Sequence, residues 1–344
     1  MRRHCRIAPC AGVALAFAAF AASPAAPLAG PLPALHAAID DTTISGISAG
    51  GYMAVQFAVA HASIVRGVGV VAAGPYYCAR GSVVQALGAC MTGTPDAAVS
   101  IAAVKTWSSI GLVDPVSALA KQRVWLFTGS RDTVVKSTVV GALETFYAAF
   151  VPKAQIRAVR DVAAGHAFVT DQQGASCTES GADYLVNCGF DSAGELLRHL
   201  LGALEPRAKT FSGKLIAFDQ YEFSQPTRAA ALAATGYAYV PAACTGGRCR
   251  VHIALHGCRQ DASLVGDAFY SRAGYNGWAD ANRIIVLYPQ VAASTFMPFN
   301  PQGCWDWWGY TGADYAQKSG PQIRAIRAML ERLGSETTGK TARK

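Results

Sequence analysis

With 344 residues, 51% hydrophobic and 15% charged, the chain carries enough apolar side chain for a large core, which excludes a disordered or fibrous protein. The formal net charge of +8 falls to +5 once Arg2, Arg3 and Arg6 are set aside, and Lys340, Arg343 and Lys344 hold much of the rest. No basic run is interleaved with aromatic residues, so a nucleic-acid partner is not expected.

Residues 1–26 read as a secretory signal, with Arg2, Arg3 and Arg6 ahead of an apolar run over residues 11–22 and then small residues and prolines. Cleavage is expected between Ala21 and Gly30. The run is shorter than the roughly 18 apolar residues a membrane span requires, so stable membrane insertion is not expected. Residues 23–33 read as signal remnant or a short arm, residues 35–336 as a single catalytic domain, and residues 337–344 as a flexible tail. The mature protein is expected to be secreted or periplasmic.

The nucleophile-elbow pattern G-x-S-x-G stands at Gly46-Ile47-Ser48-Ala49-Gly50, with only about 45 residues before it. It is followed by an expected helix over residues 52–62 and a buried strand over 67–73. Further on, residues 123–128 read as a strand, 137–150 as a helix, 155–159 as a strand and 195–204 as an amphipathic helix. Residues 214–218 and 236–240 read as an antiparallel pair, and 250–255 as a strand that runs into His256-Gly257-Cys258. A helix over 274–282, a buried strand over 284–288 and a helix over 323–333 complete the pattern.

An α/β-hydrolase needs strands ahead of its elbow, and here they come after it. Joining the last helix to the strand before Ser48 restores the usual order. The expected fold is therefore a circularly permuted α/β-hydrolase, a single α/β domain with a mostly parallel central sheet. Two domains split near residue 208 fit less well, because the first would lack an oxyanion loop and the second a nucleophile.

A serine hydroxyl needs a base to take its proton, and the base needs an acid to hold its tautomer. In the fold's order of serine, acid, histidine, the candidates are Ser48, Asp132 just past the 123–128 strand, and His166 past the next one. Asp161 and Asp171 are rival acids, but neither ends a separate strand. The oxyanion donors are expected to be the backbone N–H groups of Ala49 and Cys258. His256 is a less favoured alternative base. Trp305, Trp307 and Trp308, crowded into four residues, suggest an aromatic platform for an apolar or polymeric ligand, with Tyr76 and Tyr77 on the same rim.

Removal of the signal takes Cys5 and Cys10 and leaves eight cysteines, an even number that implies disulfides in an exported chain. Sequence proximity pairs Cys78 with Cys90, Cys177 with Cys188 and Cys244 with Cys249, leaving Cys258 with Cys304. No C-x-x-C or H-x-x-x-H spacing supports zinc. Neither a metal nor a cofactor is expected.

The elbow, the Ser48/Asp132/His166 order, the late Leu255-His256-Gly257-Cys258 loop and the Asn300–Trp307 segment together resemble the extracellular poly(3-hydroxybutyrate) depolymerases, in the subgroup with a circularly permuted catalytic domain. The resemblance covers residues 40–334 or so. It implies hydrolysis of polyhydroxyalkanoate esters through an acyl-enzyme, without cofactor or metal. It also implies the oxyanion donors named above and a tryptophan that contacts the polymer. Many such enzymes carry a Ser/Thr-rich linker and a polymer-binding domain. Neither follows residues 323–333 here, so amorphous polymer or soluble oligomers are the expected substrates, acted on by a monomer. The alternatives are a feruloyl or acetyl-xylan esterase, which shares the H-G-C and C-W motifs, and a noncatalytic polymer-binding protein on a hydrolase scaffold.

Overall fold

Apolar runs in this chain meet in one eight-stranded sheet. The structure, a computed structural model, describes residues 29–224 and 230–336, so the expected signal and tail lie outside the described residues. In chain order the strands are β1 (Ala38–Ile47), β2 (Val65–Val71), β3 (Arg123–Phe127), β4 (Ile156–Val159), β5 (Phe168–Thr170), β6 (Ala175–Ser176), β7 (Leu185–Asn187), β8 (Lys214–Asp219), β9 (Thr235–Val240), β10 (Arg250–Leu255) and β11 (Ile284–Tyr288). The large sheet has the order β4-β3-β2-β1-β10-β11-β9-β8, and β5, β7 and β6 form a small second sheet.

Pairing is parallel from β4 to β11, while β9 runs antiparallel to both its neighbours. If the block β8–β11 is placed ahead of β1–β4 and the eight strands are renumbered, the sheet reads 1-2-4-3-5-6-7-8 from the β8 edge. The elbow then follows the fifth strand and the His256-Gly257-Cys258 loop the third, as in an unpermuted α/β-hydrolase. In that order the step into β1 comes from the final helix, Pro321–Gly334. Its Leu333 carbonyl accepts hydrogen bonds from the N–H groups of Leu35 (3.1 Å) and Ala37 (3.0 Å), just ahead of β1.

β11 reads as a continuous apolar run, and β10 is apolar but for Arg250 and His252, because both faces of the sheet are covered. Val251, Ile253 and Leu255 of β10 and Ile285 and Leu287 of β11 join the core beneath the elbow helix, Ala49–Ala60, and the final helix. Ala254, Ile284, Val286 and Tyr288 join the opposite core with the helices Ser192–Leu201 and Tyr275–Asn282. Between β1 and β10, His252 is fully buried. Its two ring nitrogens meet the hydroxyls of Thr43 and Ser45, each at 2.8 Å.

The eight cysteines are bonded as Cys78–Cys90, Cys177–Cys188, Cys244–Cys249 and Cys258–Cys304. Among the described residues no helix is long and apolar enough to cross a membrane.

Candidate active site

Ser48 stands between β1 and the elbow helix with φ 55° and ψ −122°, in the left-handed region that favours glycine. Such a conformation costs about 1–3 kcal/mol and persists only where the surroundings enforce it. Here they do: the Ser48 N–H donates to the Val71 carbonyl (2.9 Å), and its carbonyl accepts from the Tyr52 N–H (3.0 Å). The turn also needs its glycines. A Cβ on Gly46 would run into the Gly50 carbonyl, and one on Gly50 into the carbonyls of Leu255 and His256. The elbow helix is thereby pressed against the end of β10.

The loops after β3 and β4 are laced together, with the N–H of Ser130 on the Val162 carbonyl (2.8 Å) and that of Arg131 on the Ala164 carbonyl (3.1 Å). This lacing brings Asp132 to His166. The imidazole Nδ1–H donates to Asp132 Oδ2 at 2.8 Å, while Asp132 Oδ1 accepts from the N–H groups of Val134 (2.8 Å) and Val135 (2.9 Å). The side chains are only 7% (His166) and 1% (Asp132) exposed, so the pair is held out of water. Of the rival acids, Asp171 is engaged by Arg207 at 2.8 Å and Asp161 is exposed.

His166 and Ser48 line one cavity of about 160 Å³. Ser48 also lines an adjoining, mainly apolar cavity of about 760 Å³, whose walls include Leu87, Met91, Phe299, Trp307 and Trp308. Cys258 lines both. The N–H of Gly257 is taken by Gln260 Oε1 (2.8 Å), whereas that of Cys258 has no acceptor among the described residues. Ala49 opens the elbow helix, where a backbone N–H lacks an intrahelical partner. His256 is fully buried, its Nδ1–H on the Gly257 carbonyl (2.7 Å) and its Nε2 accepting from the Val291 N–H (3.2 Å). Burial holds its pKa down, and the ring is a neutral strut of the loop.

The tryptophan cluster divides. Its backbone is wound around Asp306, whose carboxylate accepts from the N–H groups of Trp308 (3.2 Å), Gly309 (2.6 Å), Tyr310 (3.1 Å) and Thr311 (2.8 Å), and from the Thr311 hydroxyl (2.6 Å). Burial pushes the Asp306 carboxyl up, against the pull of these donors. Trp307 stacks on Tyr52 with ring centroids 4.4 Å apart, and with Trp308 it walls the larger cavity. Two of the expected platform residues are not there. Trp305 is fully buried against His256, and Tyr76 is fully buried with its hydroxyl on the Ala316 carbonyl (2.6 Å). Aromatic residues pack cores as readily as they line clefts.

Sequence reasoning missed Leu87, Met91, Val134 and Phe299. They are ordinary apolar residues, and nothing in their local pattern marks them as cavity walls. Val84, Leu87, Phe296, Met297 and Phe299 are all more than half exposed, which leaves the two segments flanking the mouth apolar toward solvent.

A permuted α/β-hydrolase sheet with an elbow serine and a buried histidine–aspartate pair defines the class of protein. No family model matches the chain. The poly(3-hydroxybutyrate) depolymerase of Delftia acidovorans is 46% identical over 319 residues, which cover 90% of this chain and 63% of that protein. The polyhydroxybutyrate depolymerase of Talaromyces funiculosus is 37% identical over 324 residues, covering 90% of this chain and 94% of that one. Among solved structures, the PHB depolymerase from Penicillium funiculosum superposes with a TM-score of 0.83 at 35% identity, covering 89% of this chain and all of that one. A serine-to-alanine PHB depolymerase complexed with an R3HB trimer gives the same TM-score and identity. The chain belongs to the polyhydroxybutyrate depolymerase family. It spans somewhat under two thirds of the Delftia relative's length.

Proposed function

We propose that this chain is an exported serine esterase that hydrolyses the ester bonds of poly(3-hydroxybutyrate), with Ser48 as nucleophile, His166 as base and Asp132 as its orienting acid. One observation carries the reading: the 2.8 Å His166–Asp132 pair opens into a cavity shared with the strained elbow serine. Asp132 fixes the Nδ1–H tautomer, which leaves Nε2 free to take the Ser48 proton. The Ser48 oxygen then bonds to the ester carbonyl carbon, and the N–H groups of Ala49 and Cys258 receive the charge that develops on the carbonyl oxygen. Collapse breaks the bond to the alkoxy oxygen, which leaves with the proton from His166. Water, deprotonated by His166, attacks the acyl-enzyme, and the acid is released with Ser48 restored.

The apolar cavity beside Ser48, with Trp307 and Trp308, suits the methyl-bearing polyester better than a hydrated sugar ester. The exposed apolar side chains at its mouth suit contact with solid polymer. The R3HB trimer bound by the structural relative points the same way. On this reading residues 1–26 act as the export signal and residues 35–336 form the catalytic domain.

The test is acid release from amorphous poly(3-hydroxybutyrate) by the purified mature protein, with Ser48→Ala as control and a feruloyl ester in parallel. Serine-dependent release of hydroxybutyrate or its oligomers is expected. Feruloyl cleavage without polymer hydrolysis would move the substrate to plant cell-wall esters, and full biological effect in Ser48→Ala would point to a binding protein.

A further inference from the structure

Arg259 follows the Cys258 oxyanion donor directly and lines both cavities that meet at Ser48. It is the one Arg, Lys, Asp or Glu in either lining, and it has no carboxylate partner among the described residues. Its backbone is held by the loop opposite. The φ of 58° is unusual for a residue with a Cβ, and the N–H donates to the Gln302 carbonyl at 2.7 Å. The fold therefore places an exposed guanidinium, without an internal counter-charge, at the mouth of an otherwise apolar site. Apolar walls reduce the screening that would weaken such a charge in open water.

A polyester chain is neutral along its length and ionised only at its carboxyl terminus. That terminus lies on the alcohol side of every ester bond, so the leaving group carries it when the last repeat units are cut away. A guanidinium fork matches a carboxylate with two parallel hydrogen bonds. We propose that Arg259 selects chain ends: it binds the terminal carboxylate of a hydroxyalkanoate oligomer, so that esters near the carboxyl end are cleaved in preference to interior ones. The chemistry is unchanged. Ser48 bonds to the carbonyl carbon, the ester C–O bond breaks, and the alcohol that departs with the His166 proton bears the carboxylate held by Arg259.

This inference rests on the depolymerase reading, and its test separates the two. The 3-hydroxybutyrate trimer and its methyl ester differ only at the terminal carboxyl, which is charged in one and capped by a methyl group in the other, and cleavage is followed at the ester bonds the two share. The quantity to measure is the ratio of kcat/KM for acid over ester, in the wild type, Arg259→Gln and Arg259→Lys, with folding checked by thermal melts. The ratio should fall about tenfold in Arg259→Gln, in keeping with the loss of one charge-assisted contact, and be partly restored in Arg259→Lys. In the wild type, salt at about 0.5 M should lower the ratio, and this measurement decides the matter even if a variant fails to fold. An equal ratio in wild type and Arg259→Gln, or a ratio indifferent to salt, would overturn the proposal. A wild type that cleaves neither trimer would sink the depolymerase reading, and this inference with it.

Discussion

Replacing Asp132 by asparagine tests the tautomer argument more sharply than removing the side chain. Asp132 does two jobs: Oδ1 accepts from the N–H groups of Val134 and Val135, and Oδ2 accepts from His166 Nδ1–H. An asparagine can keep its oxygen on the two backbone donors, so the loop holds and little stability is lost. Its NH2 then faces Nδ1, donor against donor. The imidazole resolves the clash by moving its proton to Nε2, the nitrogen that must accept from Ser48. The site would be intact in shape and wrong in tautomer, a state that costs about 10⁴ in kcat in a serine protease triad. Steady-state hydrolysis of a soluble hydroxybutyrate oligomer, with a thermal melt of the same sample, is the assay. The exposed Asp161→Asn serves as control and should leave kcat unchanged. A kcat within about tenfold of wild type in Asp132→Asn would refute the reasoning, because His166 would then find its tautomer without the carboxylate.

Removing the Cys258–Cys304 bond by a double serine substitution frees a loop with a sequence separation of 46, which the chain-entropy relation puts at about 4 kcal/mol. It should also lower kcat, because the Cys258 N–H is no longer braced. The Cys244–Cys249 pair, with a separation of 5 and a place between β9 and β10, should cost about 2 kcal/mol and leave kcat alone. Equal kcat in the two double variants would argue against a role for Cys258 in the oxyanion site. Acid should destabilise the protein before its carboxylates titrate. Burial pushes His252 down to about 3 and His61 to about 4, and it lowers His199 and His256 as well. A folded-state pKa below that of the unfolded chain means the unfolded chain binds the proton first. Stability is therefore full above about pH 6.5 and falls as the pH drops toward the folded values. For His252 alone the loss by pH 5 is about 2 kcal/mol. Urea midpoints that agree at pH 7.5 and pH 5 would contradict this.

Strands β10 and β11 were legible to the residue because they are buried on both faces: Ile284–Tyr288 is an unbroken apolar run between Arg283 and Pro289, and Arg250–Leu255 is apolar but for Arg250 and His252 and runs straight into His256-Gly257. The elbow helix was legible only in part. Gly50 and Gly51 are poor helix formers and pointed to a start at residue 52, yet the helix begins at Ala49. The turn at Ser48 sets that start, and the glycines are kept for the close approach of β10. The helix Ala97–Ser109 escaped notice because its core-facing positions, Ala97, Ser100, Ile101, Val104 and Trp107, mix small and polar residues with apolar ones and blur the apolar period. The small sheet β5–β7 escaped for a different reason. Its strands are two or three residues long and depend on tertiary support that no local pattern records.

The chemistry and the selectivity of the site come from different parts of the chain, and only the first is written locally. Ser48, Asp132, His166 and Cys258 each sit just past a strand end, where glycine turns and backbone pairing put the side chain or N–H in place. Their order and spacing were therefore enough to single them out as candidates. The cavity walls come from segments brought together by the sheet order: residues 83–91, 134–135, 297–302 and 307–310. Trp305, Trp307 and Trp308 look equivalent in sequence, but the loop's turns about the buried Asp306 send one ring into the core, stack the second on Tyr52 and leave the third at the cavity. This division has a consequence for engineering. Exchanging residues 296–302, which carry Phe296, Met297 and Phe299 and whose Gln302 carbonyl steadies Arg259, alters the wall without touching the His166–Asp132 pair or the elbow. Such an exchange should change which esters are cleaved far more than whether esters are cleaved.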